Sequence, residues 1–213
     1  MSIPEIDVEQ ITTRTYRYWY DDGLVEGSVG IVFLLLGLLL ASVALLPEGS
    51  PWRALPALGF PLVLIGGGLA LNKAVRTAKE RIIYPRTGYV AYHRSPKRHR
   101  PLRVAVGAVT GALVGGLLVL QPATLNWLPL MEGVIIGAWF FWLGHKVMVG
   151  RFQTLGVIAL GIGALASLMR LDDEWGMGAF FIGFGLALIL SGALAFLSYL
   201  RHSQPLEERD HES

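Results

Sequence analysis

The chain has 213 residues, of which 53% are hydrophobic and 16% charged, and its mean hydropathy is +0.52. A soluble domain carries about a quarter charged residues, so this balance is that of an integral membrane protein. The absence of cysteine excludes disulfides, thiolate metal sites and cysteine nucleophiles, and the net charge of +2 hides a strong segregation.

Residues 1–23 form a polar cytosolic segment in which Tyr16, Tyr18, Trp19 and Tyr20 suit the headgroup level of a bilayer. The run 11–20 also has strand character, or continues helically into the first apolar span. About 20 apolar residues cross a hydrocarbon core, and 27–46 is the first such run. Asp21 and Asp22 precede it instead of a basic region, so it is expected to stay in the protein rather than be cleaved as a signal peptide. A short turn at 47–50 leads to a second span, 54–71, completing a transmembrane hairpin over 24–72. Pro51, Pro56 and Pro61, with Gly66, Gly67 and Gly68 after them, predict a kinked helix.

Residues 73–103 make a basic cytosolic loop. Ten of the eighteen Lys and Arg fall here, against one acid, Glu80. The β-branched and aromatic residues of 81–84 and 89–92 flank Pro85-Arg86-Thr87-Gly88, which predicts a small β-hairpin. Arg94, Lys97, Arg98, Arg100 and Arg103 then form a juxtamembrane tract that should attract anionic lipid or a cytosolic protein partner. No nucleic-acid-binding module surrounds these charges.

Four further spans are expected within 104–200, at 104–120, 131–149, 152–169 and 175–200, before a disordered cytosolic tail at 201–213. In the third, Gly107, Gly111 and Gly115 recur every fourth residue, the pattern of a helix-packing seam. The fold class is therefore all-α: a six-helix transmembrane bundle with a small cytosolic hairpin between helices two and three. Sixteen basic residues then lie on one side and only Arg53 and Arg170 on the other, so a multi-pass protein of the cell membrane with both termini cytosolic is expected.

Gly30-x-x-Phe33-x-x-x-Gly37 recurs as Gly137-x-x-Phe140-x-x-x-Gly144 and as Gly178-x-x-Phe181-x-x-x-Gly185. Each copy has an acid four or five residues earlier, Glu26, Glu132 or Glu174, near the positive end of a helix dipole. A three-plus-three inverted repeat would generate this, and so would chance among Gly-rich helices.

Ionisable groups inside a bilayer are costly and are functional candidates for that reason. In the fourth span the uncharged stretch 133–144 is too short to cross alone, so Glu132, His145 or Lys146 must enter the membrane. Lys146 can snorkel and Glu132 can reach the opposite interface, or else Glu132 or His145 faces an internal cavity and binds a proton or cation. Glu26 completes the intramembrane candidates. Glu132 and His145 lie too far apart along one helix to touch. Asp172, Asp173 and Glu174 form an acidic turn that is better read as solvated than as a metal site. No enzymatic motif is present, and no cofactor or metal is implied. The sequence thus leaves two functional expectations. One is a non-enzymatic membrane module whose basic cytosolic face engages anionic lipid or a protein. The other is a small transporter or channel built on the inverted repeat, as a single chain or a homo-oligomer.

Overall fold

The computed structural model describes residues 20–47, 49–83, 127–171 and 173–202. The described part is all-α, with five helices and no strand among the described residues. Helix α1 is Leu24–Ala44. Helix α2, residues 55–83, begins after a short 3₁₀ turn at Pro51–Ala54 and is a broken rod. It has an α segment Leu55–Leu62, a π segment Val63–Gly67, an α segment Gly68–Ala78 and a final π turn Lys79–Ile83. Helices α3, Leu128–Val147, α4, Gly150–Leu168, and α5, Asp173–His202, complete the chain order. Four of these helices, α1 and α3 to α5, are long and apolar enough to cross a membrane.

Two antiparallel pairs organise the bundle, α1 with α5 and α3 with α4, and α4 also packs on α5. Glycine makes both pairs close. A Cβ on Gly30 would stand 2.7 Å from the Gly185 carbonyl oxygen, and one on Gly37 would stand 2.6 Å from the Ile182 nitrogen. In the second pair, a Cβ on Gly133 would lie 2.7 Å from the Ala159 carbonyl and one on Gly137 would lie 3.0 Å from that of Gly156. In lipid, helix association depends on such backbone approach. The recurring glycine pattern thus serves as a seam with a different partner each time: α1 seats on α5, and α3 seats on α4.

The phenylalanines of the same pattern fill the centre. Phe140 meets Phe184 and Phe152, Phe33 meets Phe181 and Phe184, and Phe180 and Phe184 are fully buried. Ring centroids lie 5.4 to 5.9 Å apart in these contacts, mostly edge to face, within the range in which aromatic pairs add about 0.5–1.5 kcal/mol beyond their burial.

The helix expected to kink in the second span changes its winding there from α to π. Pro61 lies inside the helix, where it offers no N–H and its ring crowds the preceding turn, and the π segment begins two residues later. Gly66 and Gly68 have open space where a Cβ would stand. Leu62, Ile65 and Leu69 are exposed, so α2 leans on α1 rather than being enclosed.

The hairpin reading needs correction within the described residues. Residues 81–83, expected as strand, continue α2 as a π turn. Ile82 and Ile83 favour a strand by propensity, but tertiary contact overrides such preferences. Here Lys79 is held in a buried ion pair with Asp22, which keeps this end of α2 against α1. The remainder of the hairpin lies outside the described residues. So do the run 11–19, the third span and the tail beyond His202.

The short fourth span resolves differently. Helix α3 has 20 residues, about 30 Å at 1.5 Å per residue. It reaches that length by taking in Glu132 near one end and His145 and Lys146 at the other.

Candidate functional site

One end of the bundle gathers a set of charges. At the start of α1, Gly23 adopts φ +69°, a conformation other residues resist, and a Cβ there would also collide with the Gly192 carbonyl of α5. The turn exposes the first N–H groups of α1. Asp22 Oδ1 accepts the Leu24 N–H two residues on at 3.0 Å, an Asx turn that satisfies the first amide of α1. Its other oxygen is paired with Lys79. Both side chains are almost completely buried.

One turn further along α1, Glu26 is 4% exposed. Its Oε2 receives the Arg151 Nε–H at 2.8 Å. The same guanidinium donates to the Tyr20 carbonyl and, at 3.4 Å, to that of Asp21. Arg151 comes after a tight turn in which Met148 is left-handed and the Val149 N–H returns to Gly144. A cation in the first turn of a helix opposes the helix dipole. Glu26 and the two carbonyls compensate it, and Phe152 beside it is buried against Tyr20 at 5.5 Å.

Lys79 lies past the apolar part of α2. Burial pushes its ammonium below the usual value of 10.5, and the hydrogen bond and charge of Asp22 oppose that push. Replacing water around a charge costs several kcal/mol, and a single partner restores only part of it.

A cleft of about 400 Å³ opens beside this cluster, lined by α1 through Glu26, Val29 and Phe33 and by α3 through Ile136, Trp139 and Phe140. Val29, Ile135 and Trp139 are exposed along it, so it opens sideways. A smaller cleft of about 160 Å³ lies between α1 and α2, lined by Ser28, Asn72 and apolar neighbours.

The structure brings together only some of the residues singled out from sequence. Glu26 is in the charged cluster. Lys146 is exposed and lies 4.7 Å above the Trp142 ring, a snorkelling arrangement. His145 is also exposed. Glu132 sits near the opposite end of α3, its Oε2 shielded from solvent and without a hydrogen-bond partner among the described residues. Neither Glu132 nor His145 borders the two clefts. Arg94, Lys97, Arg98, Arg100, Arg103, Gly107, Gly111 and Gly115 lie outside the described residues, as do the side chains of the acidic turn 172–174. No group of three or more metal-ligating side chains occurs among the described residues.

Sequence reasoning missed Asp22, Lys79 and Arg151. The available signal was Asp22 and Glu26 four positions apart on one face at the mouth of an apolar span, and a lone Arg in the first turn of another. No family model, curated protein or solved structure matches the chain.

Proposed function

We propose that this multi-pass membrane protein is a non-enzymatic module whose basic cytosolic face engages anionic lipid. The observation that carries this is the placement of charge. Lys73, Arg76, Lys79 and Arg81 on α2, Lys146 and Arg151 at the α3–α4 turn, and Arg201 at the end of α5 approach one end of the bundle. Arg53 and Arg170 belong to the other. Lys73, Arg76, Arg81, Lys146 and Arg201 are exposed, and the tract 94–103 continues the same charge in sequence.

A six-span topology with both termini cytosolic accords with this placement. The Lys79–Asp22 pair puts the end of α2 near the start of α1. The Leu130 N–H donates to Ser167 Oγ at 3.0 Å, so α3 begins near the end of α4 at the opposite face. The six-span reading takes the apolar run 104–120, which lies outside the described residues, as the crossing between these faces.

The test is the thermal stability of the full chain in detergent titrated with phosphatidylglycerol or phosphatidylcholine. The anionic lipid alone should raise the melting temperature, and replacing Lys97, Arg98 and Arg100 with Gln should reduce the rise, each charge being worth about 1 kcal/mol near a membrane surface. Equal responses to both lipids would overturn the reading. The transporter reading requires an enclosed polar cavity, whereas the clefts beside α1 are largely apolar and open sideways.

A further inference from the structure

Helices α1 and α3 face each other across the cleft of about 400 Å³ without a packing seam of their own. Each already has a closely packed partner, α5 for α1 and α4 for α3, and glycine lines both contacts. The walls left over are apolar and bulky. Val29 and Phe33 stand on the α1 side, and Ile135, Ile136, Trp139 and Phe140 on the α3 side. Val29, Ile135 and Trp139 are 38%, 54% and 58% exposed, so the two helices present a shared groove rather than a shared contact.

The chain itself supplies a segment for this groove. Helix α2 runs to Ile83, four residues beyond Lys79, whose ammonium is paired with Asp22 at the start of α1. The cleft opens at that same end, where Val25 and Glu26 line it. The description resumes at Trp127, and α3 begins at the opposite face, beside the end of α4, through the bond from Leu130 to Ser167. Between those ends the sequence holds one apolar run of spanning length, 104–120, which as a helix measures about 25 Å. The residues 121–127 that join it to α3 reach at most about 25 Å when fully extended, which ties the outer end of the run to the neighbourhood of α3. A groove between two helices buries two sides of an incoming helix, whereas the outer face of α3 alone buries one.

The composition of the run suits these walls. Gly107, Gly111 and Gly115 share one face at helical spacing, with Ala108 beside them. Association in lipid depends on small residues that admit a close neighbour, and a glycine face complements walls built of Phe33, Trp139 and Phe140. The glycine faces of α1 and α3 are already used in their own seams. We infer that 104–120 crosses the membrane as a helix whose Gly107, Gly111 and Gly115 face is seated in the cleft between α1 and α3. This deepens the six-span part of the proposed function and rests on it, while the engagement of anionic lipid by exposed bases stands or falls separately.

The test is disulfide trapping in the full chain in its native membrane, which the absence of cysteine makes clean. Oxidation should join Ala108→Cys to Val29→Cys and Leu118→Cys to Ile135→Cys. A specific protease site, inserted within 84–103 for the first pair and within 121–127 for the second, then leaves two fragments held together on a non-reducing gel. Disulfides require Cβ atoms about 3.5–4.5 Å apart, so pairs using the opposite face of the run, Val109→Cys with Val29→Cys and Leu113→Cys with Ile135→Cys, should give several-fold less product. Equal trapping from both faces, none from either, or dimers joined between two chains would each overturn the seat. Gln121→Cys reports the crossing by itself: a membrane-impermeant maleimide should label it from outside intact cells. Without that label the six-span reading falls together with the seat, and with the label but no trapping the seat alone falls.

Discussion

Arg151 Nε lies 2.8 Å from Glu26 Oε2 across 125 positions of sequence, joining the first turn of α4 to the first turn of α1. Because Glu26 is almost fully buried, the pair is better understood as mutual neutralisation than as a source of net stability. Removing one partner leaves an uncompensated buried charge, which costs about 3–5 kcal/mol, whereas removing both is often neutral. Arg151→Gln should therefore lower the unfolding free energy in detergent by about that amount. The double variant Glu26→Gln, Arg151→Gln should recover most of the loss. A double variant as unstable as the single one would show that Arg151 acts through its carbonyl bonds to Tyr20 and Asp21 instead.

The glycine seams separate positions that look alike in sequence. Gly30 and Gly66 both lie in apolar helices, yet a Cβ on Gly30 would meet the Gly185 carbonyl oxygen at 2.7 Å while one on Gly66 would meet nothing within 4 Å. Gly30→Ala should destabilise by about 1–3 kcal/mol through overpacking. Gly66→Ala should be neutral or slightly stabilising, since alanine is the better helix former by about 1 kcal/mol. Melting temperatures of the two variants decide this, and an equal loss in both would mean that α1 and α5 are not held by close backbone approach.

These contrasts mark where the sequence was legible. A continuous apolar run announces a crossing, so α1 and α5 could be read directly, and Pro61 announced the break in α2. Partner choice could not be read, because glycine at spacing seven states that a helix has a seam but not which helix fills it. The same pattern suggests an internal repeat, and in the structure its glycines line the seams of α1 on α5 and α3 on α4. The charged cluster was hidden for a related reason. Asp22, Lys79 and Arg151 belong to three segments, and only the assembled bundle gives them a common address. The hairpin reading went astray at 81–83 because local β-preference was weighed without the Lys79 contact that extends the helix.

The Lys79–Asp22 pair carries a pH signature. Burial lowers the Lys79 pKa below 10.5 in the folded protein, so the folded state releases this proton at a lower pH than the unfolded chain does. Between the two values the unfolded state binds more protons, and stability rises with pH. Below the folded value and above 10.5 the contribution is flat. The melting temperature of the parent chain should thus gain on that of Asp22→Asn, Lys79→Met as pH is raised through this window. A difference that stays constant or shrinks would mean that Lys79 is not desolvated as the geometry implies.

The two faces of the bundle make an orientation prediction that the absence of cysteine renders clean. Ser50 and Leu168 lie at the end that carries Arg53 and Arg170, whereas His145 and His202 lie at the end that carries Lys146 and Arg201. Leu168 is 75% exposed, and His145 and His202 are exposed as well. Single cysteines at these four positions leave the charged cluster and the glycine seams untouched. With the base-rich end in the cytosol, a membrane-impermeant maleimide added to intact cells should label Ser50→Cys and Leu168→Cys, and should reach His145→Cys and His202→Cys only after the membrane is opened. The reverse pattern would invert the protein. Labelling of His145→Cys and His202→Cys from opposite sides would break the shared face itself, because Arg151, one short turn beyond His145, is bonded to the start of α1, against which Gly192 of α5 is packed.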